Sequence, residues 1–270
     1  MDIQFCYKFF GDGGHLYSVN ADINASYNYY KSLKNTLRIY KLNDYSLIRL
    51  GSKDCDGGYV MADNFTQNGI AYSFGISSDV SWDNDVADLG YKVYMYDNTI
   101  DNLPYNRDEF MFFKEGISGY EKPDSSMRKL SHFITKNGHE CKKNMILKMD
   151  VEGAEWSFIE TVEPKILSQF DQIIIEFHAL IQAGNADKKI KALEKLNDTH
   201  RLIHLHGNNT SYTVKIEDTI FPNVIEATYV NKETYNTEYD DELVLPNTLD
   251  RPNDFYIEDI ILDKWNAPLK

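Results

Sequence analysis

One segment constrains the fold more than any other: it runs from Asn144 to Phe158 and reads NMILKMDVEGAEWSF. Its first half is an apolar, strand-like run that ends at Asp150. Gly153 then allows a turn into a helix, because glycine accepts backbone angles that other residues resist. In an open α/β sheet, this transition lies at the edge where ligands bind. The segment therefore predicts a sheet with a functional aspartate at that edge.

A second segment of the same kind lies upstream, between Ala71 and Asp97. It predicts a strand over 72–76, a turn rich in glycine, serine and aspartate, a helix over about 81–89, and a strand that ends at the acidic Asp97. A βαβ unit of this kind is typical of nucleoside binding. Together the two segments predict a nucleotide-type cofactor beside a catalytic carboxylate.

From Ala71 onward, strand-like and helix-like stretches alternate. The predicted strands are 71–76, 92–96, 111–117, 145–150, 172–178 and 202–206, and the predicted helices are 81–89, 124–137, 155–161 and 186–197. Residues 223–231 and 257–262 are expected to add a last strand and a closing element. This alternation predicts an α/β fold with a mostly parallel sheet, helices on both faces and right-handed crossovers.

The beginning of the chain does not follow this pattern. Residues 1–45, with a predicted helix over 24–40, are interpreted as a helical cap or a homodimer contact, and residues 46–270 as one catalytic domain. Residues 47–61 predict two short strands around a turn, because Gly57 and Gly58 can take positive φ angles.

Charge and cysteine content argue against several classes of function. The 42 acidic residues outnumber the 28 basic ones, and a net charge of −14 repels a nucleic acid backbone. No stretch approaches about 18 consecutive apolar residues, so neither a membrane span nor a membrane partner is expected. Cys6, Cys55 and Cys141 are widely spaced and form no CxxC pattern, which favours neither disulfides nor a zinc site and fits a reducing cytoplasm.

The turn after the first predicted strand indicates which cofactor binds. A dinucleotide site normally carries GxGxxG, since three close backbone approaches surround the pyrophosphate. Here the turn is Gly75-Ile-Ser-Ser-Asp79. One glycine flanked by polar side chains suits a cofactor without phosphate, such as S-adenosylmethionine, with Asp97 on the ribose and Gly116 and Ile117 beside the adenine. An ordinary βα turn at Gly75 and a solvated or helix-capping Asp97 remain the alternatives.

At this point the residues match a family. The chain resembles the FkbM-type S-adenosylmethionine-dependent methyltransferases, in the class I methyltransferase superfamily. The likeness rests on four segments: Arg49 to Gly51 with Asp56 to Val60, Ser73 to Asp97, Leu147 to Glu155 in the sequence LKMDVEGAE, and Leu245 to Asn253. The resemblance implies a Rossmann-like sheet of seven strands with the last one antiparallel. It also implies that residues 46–270 are a methyltransferase domain that methylates oxygen. The predicted cofactor ligands are Gly75, Ser77, Asp79, Ser81, Trp82, Asp97, Asn98, Gly116, Ile117 and Asp150.

Methyl transfer from a sulfonium is an in-line displacement, so the protein must align the acceptor and remove a proton from its hydroxyl. The predicted catalytic residues are Asp150, Glu176 and His178. Glu176 and His178 lie two apart on one strand and share a face. His178 is the preferred general base, because its ordinary pKa is near neutrality. The alternative for His178 is a histidine with a purely structural role.

A divalent ion is a second interpretation of the same residues. Asp150, Glu176, His178 and His206 would converge on one edge if the strand order is as expected, and carboxylate with imidazole suits magnesium, manganese or zinc. The metal-free base mechanism is favoured over this one.

The sequence indicates the methyl acceptor less clearly than it indicates the cofactor. Tyr59, Arg49, His206 and Asn208 are the predicted substrate ligands, although Asn208 equally suits a turn. The resemblance implies a hydroxyl of a sugar or sugar-like molecule, in capsule, lipopolysaccharide or glycoside biosynthesis. A phosphoramidate or other small polar acceptor, a dehydrogenase and a catalytically silent binding module remain the alternatives.

Overall fold

The structure is a computed structural model that describes residues 3–4, 23–121, 125–262 and 264–269. The predictions for Cys6 and for the helix start at Asp124 lie outside this part of the chain. The helices are α1 Ile23–Thr36, α2 Ser81–Asp88, α3 Leu130–Lys136, α4 Ala154–Thr161, α5 Pro164–Leu167 and α6 Ala186–Thr199. The strands are β1 Ile3–Gln4, β2 Tyr40–Leu42, β3 Leu47–Gly51, β4 Gly58–Ala62, β5 Ile70–Phe74, β6 Lys92–Tyr96, β7 Phe110–Phe113, β8 Gly116–Ile117, β9 Met127–Arg128, β10 Met145–Met149, β11 Phe170–Phe177, β12 His200–Gly207, β13 Thr213–Ile216, β14 Thr219–Pro222, β15 Ile225–Asn231 and β16 Thr237–Tyr239.

Seven of these strands form the central sheet, in the order β12-β15-β11-β10-β5-β6-β7. Neighbours from β11 through β10, β5 and β6 to β7 run parallel. Only β15 in this sheet runs antiparallel to both of its neighbours, β11 and β12. This order confirms the predicted Rossmann-like class I fold with an antiparallel last strand. The chain reverses direction across the sheet between β5 and β10, which is the position where such folds bind ligands.

Apolar side chains cover both faces of the sheet. Along β5, Tyr72 and Phe74 join a core cluster with α1, α3, α4 and α6, whereas Ala71 joins a second cluster with α2 and the β3–β4 hairpin. This alternation follows from the period of two in a strand. Every residue of β11, in the sequence FDQIIIEF, is buried, as expected for a strand covered on both sides. Among the described helices, none is long and apolar enough to cross a membrane.

The β3–β4 hairpin is attached to the sheet by two buried polar side chains. Gln172 of β11 accepts a hydrogen bond from the Ala62 N–H and donates to the carbonyls of Ala62 and Asn64. Thr228 of β15 donates to the Val60 carbonyl. The hairpin itself confirms the prediction for residues 47–61. It positions Asp56 and Tyr59 beside the carboxyl end of the sheet.

Four predicted elements differ from the structure. The strand over 111–117 is two strands, β7 and β8. β8 pairs with β9, so the predicted helix over 124–137 is wrong at residues 127–128 and begins at Leu130. The helix over 24–40 ends at Thr36, because residues 40–42 pair with β16. Residues 257–262 form no strand. The predicted domain boundary at residue 45 stays a prediction, although α1 already packs into the main core.

Candidate functional site

A cavity of about 490 Å³ opens where the carboxyl ends of β5 and β10 separate. This volume lies in the usual range for small-molecule sites. Its walls come from the hairpin, from the turns after β5, β6 and β10, and from β8. The predicted site residues that line it are Tyr59, Gly75, Ser77, Asp79, Trp82, Asp97, Asn98, Gly116, Ile117 and Asp150.

The charge of the cavity wall is strongly one-sided. Among the described residues that line it, six carry carboxyl groups: Asp56, Asp79, Asp83, Asp97, Asp150 and Glu152. Lys148 is the one basic residue among them. Its ammonium donates to the Gly75 carbonyl at 3.0 Å and lies 5.4 Å from the centre of the Tyr59 ring. The wall therefore favours a cation and disfavours phosphate.

Gly75 lets the two strands approach closely just before they part. Its φ angle is +79°, and a Cβ at this position would lie 1.6 Å from the Asp150 carbonyl oxygen. The Asp150 N–H donates to the Phe74 carbonyl at 3.0 Å. The residue after β5 and the aspartate after β10 are therefore in direct backbone contact, which no larger residue permits without displacement.

Asp97 organises the turn after β5. Its carboxylate accepts hydrogen bonds from the N–H groups of Ile76 and Ser77, each at 2.9 Å, and from the N–H and hydroxyl of Thr99. Burial opposes its ionisation, but these hydrogen bonds outweigh burial and lower the pKa of Asp97. A ribose at this point would compete for acceptor positions that the protein already uses.

Asp79 and Ser81 belong to a contact between the turn and the hairpin. Asp79 accepts hydrogen bonds from the Ser81 N–H and hydroxyl. The Ser81 hydroxyl also lies 3.4 Å from the Gly57 carbonyl. Ser81 was a predicted cofactor ligand, but its side chain is used within the protein and is not part of the cavity wall. Trp82 does line the cavity, with its indole N–H directed at the Met61 sulfur.

We call the end of the cavity that is formed by Asp56, Tyr59 and Asp150 the acceptor end. The three predicted catalytic residues meet there, with Asp150 in the cavity wall and the other two behind it. Ligand atoms of Asp150, Glu176 and His178 all lie within 4.8 Å of one another. The Tyr59 hydroxyl donates to Asp150 at 3.3 Å, and the Asn208 amide donates to Glu176 at 2.8 Å. Asn208, a predicted substrate ligand, is therefore buried as a support for Glu176.

Glu176 holds a proton that ordinary glutamates lose. Burial raises its pKa first, and the negative charge of Asp150 and a hydrogen bond with Asp150 raise it further. Two carboxyl groups this close do not both ionise readily. Glu176 therefore keeps its proton near neutral pH and shares it with Asp150 through that hydrogen bond, and Asp150 is the member of the pair that faces the cavity.

His178 lies behind this pair, outside the cavity wall. Its Nε2 is 3.3 Å from Glu152 and 3.8 Å from Glu176, and its Nδ1 is 3.5 Å from the fully buried Glu155. Burial disfavours the imidazolium, but the hydrogen bond and charge of Glu155 with the charges of Glu152 and Asp150 outweigh burial and raise the pKa of His178. A histidine that retains its proton is a weaker base than the sequence led us to expect.

His206 does not join the cluster, so the predicted four-residue metal site is wrong at this residue. Its ring nitrogens contact Glu226 at 3.3 Å and Asp259 at 3.0 Å, and it is only 1% exposed. Strand β15 lies between β11 and β12, and Glu226 is in register with both Glu176 and His206. The same burial excludes His206 as a substrate ligand. Asp150, Glu176 and His178 remain a set that could hold a divalent ion.

Arg49 also has a different role from the predicted one. Its guanidinium donates to the carbonyls of Ser52 and Cys55 at 2.8 Å each, and so holds the turn of the hairpin. It is not among the residues that line the cavity. The hairpin therefore contributes Tyr59 and Asp56 to the site, while Arg49 holds the turn that joins β3 to β4.

Among the described charged residues of the cavity wall, the sequence analysis missed four: Lys148, Asp56, Asp83 and Glu152. Lys148 had a usable signal, because it lies two residues before Asp150 on the same face of the strand. Asp83 is 1% exposed, and burial raises its pKa. Burial likewise raises the pKa of Asp56, which accepts a hydrogen bond from Asn253. Neither aspartate stands at the end of a sheet strand, so no positional rule pointed to them.

Comparison with known protein families identifies a match for most of the chain. The family model "Methyltransferase FkbM domain" matches residues 2–208. No curated protein matches the chain significantly. Among solved structures, a "Putative hemolysin from Streptococcus thermophilus" is 12% identical, with a TM-score of 0.34 over 64% of this chain and 71% of that one. A "putative RNA methyltransferase" from Pyrococcus horikoshii is 12% identical, with a TM-score of 0.33 over 61% and 75%. Likeness this weak carries no argument about activity.

Proposed function

Because the chain belongs to the FkbM methyltransferase family, we propose that it transfers a methyl group from S-adenosylmethionine to a hydroxyl of a sugar or sugar-like small molecule. The reaction would belong to the biosynthesis of a surface polysaccharide or a glycoside. A cytoplasmic setting is part of the proposal, and the free thiols of Cys55 and Cys141 suit a reducing compartment.

The observation that carries the proposal is the acidic cavity beside Gly75. Six carboxyl residues and one lysine among the described lining residues suit a sulfonium, which is a cation, better than the pyrophosphate of a dinucleotide. The turn after β5 also lacks the three glycines that a pyrophosphate needs. A nicotinamide-dependent dehydrogenase is therefore the weaker candidate.

The residues of the wall fit the parts of this cofactor. Ile117 and Gly116 of β8 offer an apolar edge for the adenine. Asp97 at the end of β6 is the candidate for the ribose, whose hydroxyls would replace the hydrogen bonds that Thr99 now donates to it. Asp79 is the candidate for the amino group, and Ser77 and Ser78, which also line the cavity, are the candidates for the carboxyl group. When bound, the cofactor supplies an electrophilic methyl group. The chain supplies its orientation toward Asp150.

At the acceptor end, the chain positions a hydroxyl and receives its proton. The Asp150 carboxylate faces the cavity and is oriented by the Tyr59 hydroxyl at 3.3 Å. Glu176 shares its proton with Asp150 and thereby limits the negative charge at this point. In the proposed mechanism Asp150 orients the acceptor and accepts its proton, and the protonated His178, near Glu152 and Glu176, stabilises the negative charge of these carboxyl groups. Alignment for in-line displacement supplies most of the rate.

Two experiments test this function. Calorimetry should detect binding of S-adenosylmethionine and no comparable binding of NAD. Incubation with sugar nucleotides and methyl glycosides should then release S-adenosylhomocysteine and a methylated sugar. Tight NAD binding would contradict the cofactor assignment, and cofactor binding without turnover on any acceptor would indicate a silent binding module.

Metal dependence is settled by the same assay after treatment with EDTA. The metal-free mechanism predicts unchanged turnover. Loss of turnover that magnesium or manganese restores would instead assign Asp150, Glu176 and His178 to a divalent ion.

A further inference from the structure

Two aromatic side chains protrude from the C-terminal segment that follows the last strand. Phe255 is 62% exposed and Tyr256 is 85% exposed. Their rings lie with centroids 4.0 Å apart and are tilted by 40°. We call these two residues the aromatic pair. Adjacent exposed rings of this size are costly to leave in water, so they mark an interaction site when the surrounding structure holds them in place.

The backbone that carries the aromatic pair is firmly held. Asn209 donates to the carbonyls of Asp254 and Ile257, and its own side-chain oxygen accepts the Asp254 N–H. The Tyr256 N–H in turn donates to the Asp254 carboxylate at 2.8 Å. Asn209 is 8% exposed. The turn around the aromatic pair is therefore preorganised, which lowers the entropy cost of binding a ligand there.

The same segment is joined to the acceptor end of the cavity. Asn253 donates to Asp56 at 2.8 Å and to Glu226 at 2.7 Å, and the Asp56 N–H donates back to the Asn253 carbonyl. Asp56 lines the cavity. Phe255 follows Asn253 by two residues, a span of at most about 7 Å. The backbone of the aromatic pair thus lies two to three residues from a side chain that is hydrogen-bonded to the cavity wall.

A second connection leads to the catalytic cluster. Asn208, the neighbour of Asn209, donates to Glu176, which shares its proton with Asp150. Two adjacent residues that follow β12 therefore hold both features. Asn208 holds Glu176, and Asn209 holds the turn of the aromatic pair. The adenine end, formed by Gly116 and Ile117, has no such connection within the described contacts. The aromatic pair consequently belongs to the acceptor side.

From this placement we propose that Phe255 and Tyr256 form a carbohydrate subsite that binds a neutral sugar unit next to the one that is methylated. The inference rests on the proposed function and extends it from a single sugar to an acceptor of at least two units. Aromatic faces pack against the apolar C–H face of a sugar ring, while a carboxylate such as that of the exposed Asp56 accepts hydrogen bonds from its hydroxyls.

The charges around the pair favour a neutral ligand. Asp254 and Glu258 flank the rings in the chain, and Asp56 lies beyond Asn253. Arg251 is the nearest cation along the segment, and its guanidinium already donates to the carbonyls of Thr248 and Asp250. A phosphorylated or uronic acid unit would meet repulsion from these carboxylates.

A glycan array tests the subsite without depending on turnover. The full chain, saturated with S-adenosylhomocysteine, is applied to immobilised neutral and acidic oligosaccharides. We expect binding to neutral members, and at least about tenfold weaker binding for the double variant F255A/Y256A. Tyr45→Ala is the matched control. Tyr45 is also exposed, but it precedes β3 and so lies at the end of the hairpin that is farther from the turn and from Asp56. It should bind like the unmodified chain.

Several results would overturn the inference. These are no glycan binding by the unmodified chain, binding to acidic members alone, or equal binding by F255A/Y256A. A fourth is a change of oligomeric state in F255A/Y256A with glycan binding retained, which would make the pair a contact between copies of the chain. Calorimetry with S-adenosylmethionine on the same preparations separates a failure of the subsite from a failure of the proposed methyltransferase function. If the cofactor binds and a sugar is methylated while the variant behaves normally, only the subsite fails.

Discussion

At the scale of single residues, the chemistry depends on a pair of carboxyl groups that share one proton. Glu176 is buried and supported by Asn208, whereas Asp150 faces the cavity and is supported by Tyr59. The two residues therefore divide the work: Glu176 stores the proton, and Asp150 presents the negative charge to the acceptor.

Replacing Asp150 by asparagine tests this division. Asp150→Asn keeps the shape and the hydrogen bond from Tyr59 but removes the proton acceptor, so turnover should fall by about a hundredfold or more. Affinity for S-adenosylmethionine, measured by calorimetry, should change far less. Asp63→Asn, at an exposed aspartate outside the cavity wall, is the control. Normal turnover by Asp150→Asn would remove Asp150 from the mechanism.

His206 makes stability depend on pH. Burial opposes its charge, but Asp259 and Glu226 outweigh burial and raise the pKa of His206 from 6.5 to about 10. A raised folded-state pKa gives stability that is fully present below pH 6.5 and lost as the pH rises toward 10. Urea unfolding at pH 7 and 9.5 should therefore show a lower free energy of unfolding at the higher pH.

The variant His206→Asn should remove this dependence. It leaves the buried Glu226 and the partly buried Asp259 without their cation and should cost about 3 kcal/mol at pH 7. His132→Gln, at a half-buried histidine far from Glu226 and Asp259 in the sequence, should keep the normal pH response. A pH response that His206→Asn retains in full would show that another group causes it.

Residue positions were predictable where they follow from strand order alone. Gly75, Asp97 and Asp150 each end a parallel strand, and such ends meet at one edge. His206 was misplaced because the return of β15 between β11 and β12 cannot be inferred from the spacing of histidines. Asp56 was missed because the hairpin brings it in from outside the sheet.

At the scale of elements, the contact between the ends of β5 and β10 determines the shape of the cavity. Gly75→Ala would place a Cβ 1.6 Å from the Asp150 carbonyl oxygen, so the backbone must move. We expect weaker binding of S-adenosylmethionine and a loss of stability well beyond the ~1 kcal/mol of an unfavourable φ angle.

Gly138→Ala is the matched control for this variant. Gly138 has a similar φ angle of +71°, but nothing lies within 4 Å of an added Cβ. Thermal unfolding and calorimetry on both variants separate the effect of the φ angle from that of the clash. Equal effects in the two variants would mean that the close approach at Gly75 is unimportant.

The attachment of the hairpin is a second property of elements. Gln172→Met keeps the volume but leaves the Ala62 N–H and the carbonyls of Ala62 and Asn64 without their buried partner. The expected loss is about 3 kcal/mol in urea unfolding, with lower turnover because Tyr59 loses its position. Gln67→Met, at an exposed glutamine, should change neither. Unchanged stability in Gln172→Met would show that the hairpin is held by other contacts.

Elements with a clear period were predicted closely, and short paired strands were not. Residues 92–96 form a strand with the predicted bounds, because their apolar alternation is local. Strands β8 and β9 have two residues each, and their pairing depends on a contact across the chain. The residues of β9 therefore looked like the start of the helix that follows them.

At the scale of the whole molecule, the order of the seven strands brings the parts of the site together. Reversal of direction between β5 and β10 opens the cavity, and the antiparallel β15 inserts Glu226 beside Glu176. The hairpin then covers one side, and the C-terminal segment reaches Asp56 through Asn253. Residues from six separate regions of the chain, within 56–59, 75–83, 96–99, 116–117, 127 and 148–154, thus line one acidic cavity.

A crystal structure with S-adenosylhomocysteine tests the central claim most directly. The account predicts the ligand in the cavity between β5 and β10, with its adenine beside Ile117 and its sulfur directed at the Asp150 carboxylate. A ligand bound elsewhere, or bound in this cavity with its sulfur directed away from Asp150, would contradict it.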